Sequence, residues 1–124
     1  MKLPDQMRHF LDQTPDVSTV AFGDLSSGLV LNWCSKAAPP REVVDLLGEK
    51  AAACFALLRQ NAQLPQASSA FGASVIHFTE RGSQIFARQA AAPDDVICVV
   101  CHPGARLEPL LASTLALADK IAET

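Results

Sequence analysis

"VICVVCHPG", residues 96–104, is the stretch on which the reading of this chain turns. It contains Cys98-Val99-Val100-Cys101-His102, the C-x-x-C-H spacing at which a c-type haem is attached. It is also a continuous apolar, β-branched run closed by Pro103-Gly104, which reads as a central strand buried on both faces. The two readings exclude each other. Successive side chains of a strand point to opposite faces, so Cys98 and Cys101, three apart, face opposite sides of a sheet. On a strand they reach neither one haem, nor one zinc, nor each other. His102 shares the face of Cys98 but lies ~13 Å along it, at ~3.3 Å per residue. A haem would also need a second axial ligand, and the only methionines are Met1 and Met7. The strand reading prevails, with both cysteines as small core residues.

Outward from this strand, the pattern predicts a β-meander over residues 73–101. "ASVIHFT" and "SQIFARQ" flank Glu80-Arg81-Gly82 as a hairpin, and "AAAPDD" supplies the next turn, with Asp94-Asp95 in solvent. Residues 17–34, "VSTVAFGDLSSGLVLNWC", predict another hairpin. Val20 and Phe22 alternate on one arm, and Leu29, Leu31 and Trp33 on the other. "GDLSSG" forms the turn, with Gly28 available for positive φ. Three helices complete the chain. Residues 4–13 place Met7, Phe10 and Leu11 on one face after Pro4, and Thr14-Pro15-Asp16 ends them. Residues 105–122 turn Leu107, Leu110, Leu111, Leu117, Ala118 and Ile121 inward, with Pro109 confined to the first turn.

The long helix, about Pro40 to Asn61, carries two apolar stripes. Val43, Leu47, Cys54 and Leu58 make one, and Val44, Ala51 and Phe55 the other. "AAACFALL", residues 51–58, is apolar all round, whereas a surface helix of a small monomer shows a polar back. The helix therefore calls for cover on two sides, and Gly48 with its alanines suits close approach of a second helix. The polar loop "QNAQLPQASSAFG", residues 60–72, follows it. The order is α-β-β-α-β-β-β-α: an α+β domain spanning residues 1–124, with a five-stranded antiparallel sheet and helices on both faces.

Composition narrows the function classes. With 49% hydrophobic and 19% charged residues the chain is globular, and 124 residues suit one core. A net charge of −3, with scattered Lys and Arg, argues against nucleic acid or an anionic membrane as main partner. No run reaches the ~18 apolar residues of a membrane span. The N-terminus "MKLPDQMRHFLDQ" lacks the apolar core of a signal peptide, so the expected compartment is the reducing cytoplasm and the four cysteines are expected as thiols.

No catalytic constellation emerges. His77, Thr79, Glu80 and Ser83 straddle a hairpin turn, and "GDLSSG" lacks the Lys and following helix of a phosphate loop. Cys34, Cys54, His9 and His77 stand alone, without the paired spacing of a zinc site. No enzyme activity, cofactor or metal is expected. Two alternatives remain open. One is a small-molecule sensor with a pocket between sheet and helix, for which His77, Asn32 and Trp33 are the candidates. The other is a thiol-redox or metal protein at Cys98 and Cys101.

The stretch "VSTVAFGDLSSGLVLNW", the long central helix, "SVIHFTERGSQIFAR" (residues 74–88) and "VICVVC" with its closing helix together resemble the roadblock/dynein light chain family over about residues 5–122. The resemblance implies a profilin-like fold and a non-catalytic module. Such modules form homo- or heterodimers by joining sheets edge to edge and apposing central helices. They act as scaffolds or regulators of small Ras-like GTPases or motor complexes. By the same resemblance the dimer seam would hold Gly48, Ala51, Ala52 and Phe55 of the helix and Val75, Ile76, His77 and Phe78 of the strand.

Overall fold

The computed structural model describes residues 2–60, 73–89 and 91–122. The elements are α1 (Leu3–Gln13), β1 (Val17–Asp24), β2 (Leu29–Ser35), α2 (Arg41–Gln60), β3 (Ala73–Thr79), β4 (Gly82–Gln89), β5 (Ala92–Cys101) and α3 (Leu107–Ala122). The order read from the sequence holds throughout. All pairings are antiparallel, and the strands lie in the order β2-β1-β5-β4-β3, so the apolar run of β5 is the central strand.

Registers across the sheet produce two sets of side-chain rows. On one face Val75, Phe86, Cys98, Ala21 and Trp33 stand in line, and beside them His77, Gln84, Val100, Thr19 and Ser35. On the other face Ile76, Ile85, Val99, Val20 and Cys34 form the middle row. Each face has its own core. α1 and α3 cover the second, burying Met7, Phe10, Leu11, Leu110 and Leu117 against Ile85, Val99 and Cys101. α2 covers the first, burying Val44, Leu47, Ala51 and Phe55 against Phe86, Val96 and Cys98. Full burial of such aliphatic and aromatic side chains stabilises by roughly 1.5–3 kcal/mol each.

Local chemistry sets the element ends. The Thr14 hydroxyl donates to the Phe10 carbonyl at 2.7 Å, closing α1 ahead of Pro15. Pro40 immediately precedes α2, and its carbonyl accepts from the Val43 and Val44 amides at 3.0 and 3.4 Å. Pro109 sits in the first turn of α3, where its missing N–H breaks no helical bond. Thr114, buried inside α3, satisfies its hydroxyl on the Leu110 carbonyl at 2.7 Å.

Three details depart from the sequence expectations. Leu29 and Leu31 are exposed, and Val30 between them is buried. A bulge opposite Phe22/Gly23 leaves Leu31 without a register partner, so the alternation of β2 breaks there. Val30 and Trp33, an odd number of residues apart, consequently both pack toward α2.

The second departure is at Asp94-Asp95, which belong to β5 and not to the turn before it. Asp95 pairs directly with Asp24 of β1. Burial, then the charges of Asp24 and Asp94, push the Asp95 carboxyl above its ordinary range. A carboxyl raised in the folded state binds its proton before the unfolded chain does, so its ionised form weakens the fold at neutral pH and the penalty disappears as pH falls. Asp95→Asn is expected to raise stability at neutral pH by a few tenths of a kcal/mol, this being an exposed, screened site. The gain should vanish near about pH 3, which paired denaturant titrations would show.

The third departure concerns the small residues of α2. A side-chain carbon on Gly48 would lie 2.5 Å from the Gly28 carbonyl oxygen and 3.1 Å from Val30 Cγ2. A side-chain carbon on Gly28, whose φ is +75°, would in turn lie 3.9 Å from the Ala52 methyl. The close approach read from Gly48 and its alanines is therefore made to the chain's own β1–β2 turn.

Candidate protein-interaction surface

α2 presents three flanks. Val44, Leu47, Ala51 and Phe55 meet the sheet, and the Arg88 guanidinium lies 4.8 Å from the centre of the Phe55 ring. Arg41, Asp45, Gly48 and Ala52 border β2 and its turn. The third flank carries Val43 and Leu46, 51% and 49% exposed, with Lys50 alongside. Leu57, 58% exposed, lies further along the helix.

The third flank overlooks a cleft of about 750 Å³. Its floor is the row Gln84, Val100, Thr19 and Ser35, and Glu80 and Arg81 of the β3–β4 turn form its far rim. The floor is polar but satisfied in part. Thr19 and Ser35 share a hydrogen bond of 2.9 Å, and His77 Nδ1 lies 3.2 Å from Gln84 Oε1. Among the described residues α2 packs chiefly on β2, β1 and β5, and Phe86 of β4 and Val75 of β3 join the same core. The outer strand β3 has β4 on one side and no described strand on the other. Phe78 on β3 is 70% exposed.

The residues expected at a seam thus divide. Val75, Ile76 and His77 are half-buried on β3, Phe78 is exposed, and Ala52 is half-buried on α2. Gly48, Ala51 and Phe55 are buried within the chain itself, against the β1–β2 turn and the sheet. Exposed large apolar residues described on α2 are Val43, Leu46 and Leu57, and the first two line the cleft. In the sequence Val43 belongs to one of two apolar stripes with nothing local to say which faces out, and Leu46 belongs to neither.

The remaining candidates do not converge. Trp33 and Asn32 lie on β2 and His77 on β3, at opposite edges of the sheet. Cys98 and Cys101 belong to the two separate cores. Burial pushes the Cys98 thiol up to about 12, and burial raises Cys101 as well. Among the described residues no group of three or more His, Cys, Asp or Glu could hold a metal ion, and no helix is long and apolar enough to cross a membrane. All four cysteines are unbridged, and Cys34 and Cys54 are only partly buried. A disulfide-exchange reagent added to the native protein is expected to modify Cys34 and Cys54 first. Cys98 and Cys101 should react only after denaturant exposes them. Rapid native labelling of Cys98, located by peptide mapping, would contradict the two-core placement.

No family model matches the sequence, and no curated protein matches it. Solved structures do. A roadblock/LC7 domain from Streptomyces avermitilis superposes with a TM-score of 0.70 at 17% identity, over 98% of this chain and 99% of that one. An MglB in a tetrameric arrangement gives 0.71 at 18% identity, over 99% and 90%. The gliding protein MglB of Thermus thermophilus gives 0.68 at 18% identity, over 99% and 91%. Identities this low speak to the fold, and the correspondence runs through helices, strands and their order across both chains. This chain has the fold of the roadblock/LC7 domain.

Proposed function

We propose that this protein is a non-catalytic interaction module that pairs with a second copy of itself and, as a pair, regulates or scaffolds a small Ras-like GTPase or a motor complex. The observation that carries the reading is that β3 has no described strand on its outer side, while Val43 and Leu46 of α2 stand about half exposed over the cleft that ends at the β3–β4 turn. An open strand edge is a template for another strand, and adjoining apolar side chains gain by leaving water. A two-fold axis normal to the sheet, between two antiparallel β3 strands, extends the sheet across both chains and places the two α2 flanks on the same face, toward each other. Val75, Ile76, His77 and Phe78 then border the joined strands, and Val43 and Leu46 take the helix side of the seam. Ala52 lies on the flank of α2 that its own turn already occupies. The protein works in the cytoplasm in this reading, where its thiols stay reduced.

The GTPase part is tested separately. Ras-like GTPases of the source organism, loaded with GDP or a non-hydrolysable GTP analogue, are titrated with the purified protein, and single-turnover hydrolysis is followed in parallel. Binding selective for one nucleotide state, with or without a change in hydrolysis, supports the reading. A protein that forms the pair but binds none of them in either state contradicts it.

A further inference from the structure

The sheet has two outer strands, β2 and β3, and they are not alike. β2 carries a bulge at Leu31, and Leu29 and Leu31 are both more than half exposed. Exposed leucines on an outer strand are an invitation to pair with another chain. The Leu29 carbonyl lies against Gly23 of β1, 3.1 Å from the position of a side-chain carbon there. Successive carbonyls of a strand point to opposite sides, so the Val30 carbonyl points away from β1, toward the open edge. It is taken: Arg41 Nη2 donates to it at 3.0 Å. The same guanidinium donates through Nε to Asp45 Oδ1 at 2.9 Å, one helical turn on. The side chain is thus held at both ends, reaching from the first residue of α2 to the rim of the sheet.

We infer that Arg41, fixed by Asp45 and assisted by the Leu31 bulge, is a guard that keeps a second chain from adding to β2. This rests on the proposed pairing only in its consequence: with β3 used for pairing, an open β2 edge on each copy would let pairs join end to end without closing. The guard turns an open-ended arrangement into a finite one. An ion pair this exposed adds little stability, so its value lies in occupying the carbonyl and placing a charge at the edge.

The test compares the full chain with Arg41→Ala and with Arg41→Ala/Leu31→Lys by light scattering over a concentration series. Far-UV circular dichroism and thermal midpoint establish that each is folded. The Arg41→Ala protein is expected to rise in weight-average mass with concentration, by about twofold or more over the wild type at the highest concentration, in steps of the wild-type unit. A lysine at the exposed Leu31 position restores a charge at the edge and should return the mass to the wild-type value. A folded Arg41→Ala protein with wild-type mass at every concentration overturns the guard. So does growth that Leu31→Lys fails to reverse, since it then arises elsewhere. Should Arg41→Ala not fold, Asp45→Ala, which frees the guanidinium from its anchor, is read by the same criteria. The outcome is measured against wild-type mass, whatever that is. A monomeric wild type would therefore sink the β3 pairing while leaving the guard to stand or fall on its own.

Discussion

Gly82→Ala is expected to destabilise the fold by about 3 kcal/mol, lowering the thermal midpoint by roughly 10 °C for a chain of this size. Gly82 opens β4 at φ +134°, a conformation that side-chain-bearing residues rarely adopt. A side-chain carbon there would run into the Cys101 carbonyl oxygen and lie 3.2 Å from the Pro103 nitrogen. Both obstacles are backbone, so neither yields by rotating a side chain. Moving them displaces the end of the central strand. Gly104→Ala is the control. Its φ is +82°, but nothing lies within 4 Å of the added carbon. It is expected to cost only the conformational part, about 1–2 kcal/mol. Equal losses at the two sites, in chemical denaturation, would show that the contact with β5 contributes nothing.

The second large effect is expected on association, with the fold left intact. Val43 and Leu46 are about half exposed in the single chain and, in the proposed pair, lie at the seam. Val43→Glu/Leu46→Glu removes apolar burial and places carboxylates in its stead. Two-fold symmetry presents each substitution twice. A loss of about 3–4 kcal/mol follows, a dissociation constant raised by roughly 10²–10³. Stability of the single chain should change by no more than about 0.5 kcal/mol, because neither side chain belongs to a core. Sedimentation and denaturation together separate the two effects. An unchanged dissociation constant would move the seam off this flank.

How much of this was legible beforehand differs from element to element. The parity of Cys98 and Cys101 was legible because strand alternation is rigid, and the structure puts them in opposite cores. The limits of α1 and the start of α2 followed from Pro4, Thr14 and Pro40, whose constraints are local, whereas the last helix, expected from residue 105, starts at Leu107 and so keeps Pro109 in its first turn. The facing of α2 was not legible. In "AAACFALL" apolarity runs all round, so periodicity could not say which flank meets the chain's own sheet. Gly48 announced a close approach but not its partner, which is a turn twenty residues earlier in the chain. The Leu31 bulge left no mark on the alternation of Leu29, Leu31 and Trp33, because it arises from pairing with β1. Asp94-Asp95 reads as a solvated turn because the pair ends "AAAPDD", and the structure extends β5 through both residues, with Asp95 opposite Asp24. Local chemistry was readable, and what depended on a distant strand or turn was not.

The solution mass of the reduced protein, measured by light scattering down a dilution series, shows whether the joined pair forms. A species of twice the 13.2 kDa chain mass, persisting to about micromolar concentration, is expected. A mass of 13.2 kDa at every concentration would contradict the pairing. The outer side of β3, where no strand is described, and the apolar flank of α2 would then have no second copy to cover them.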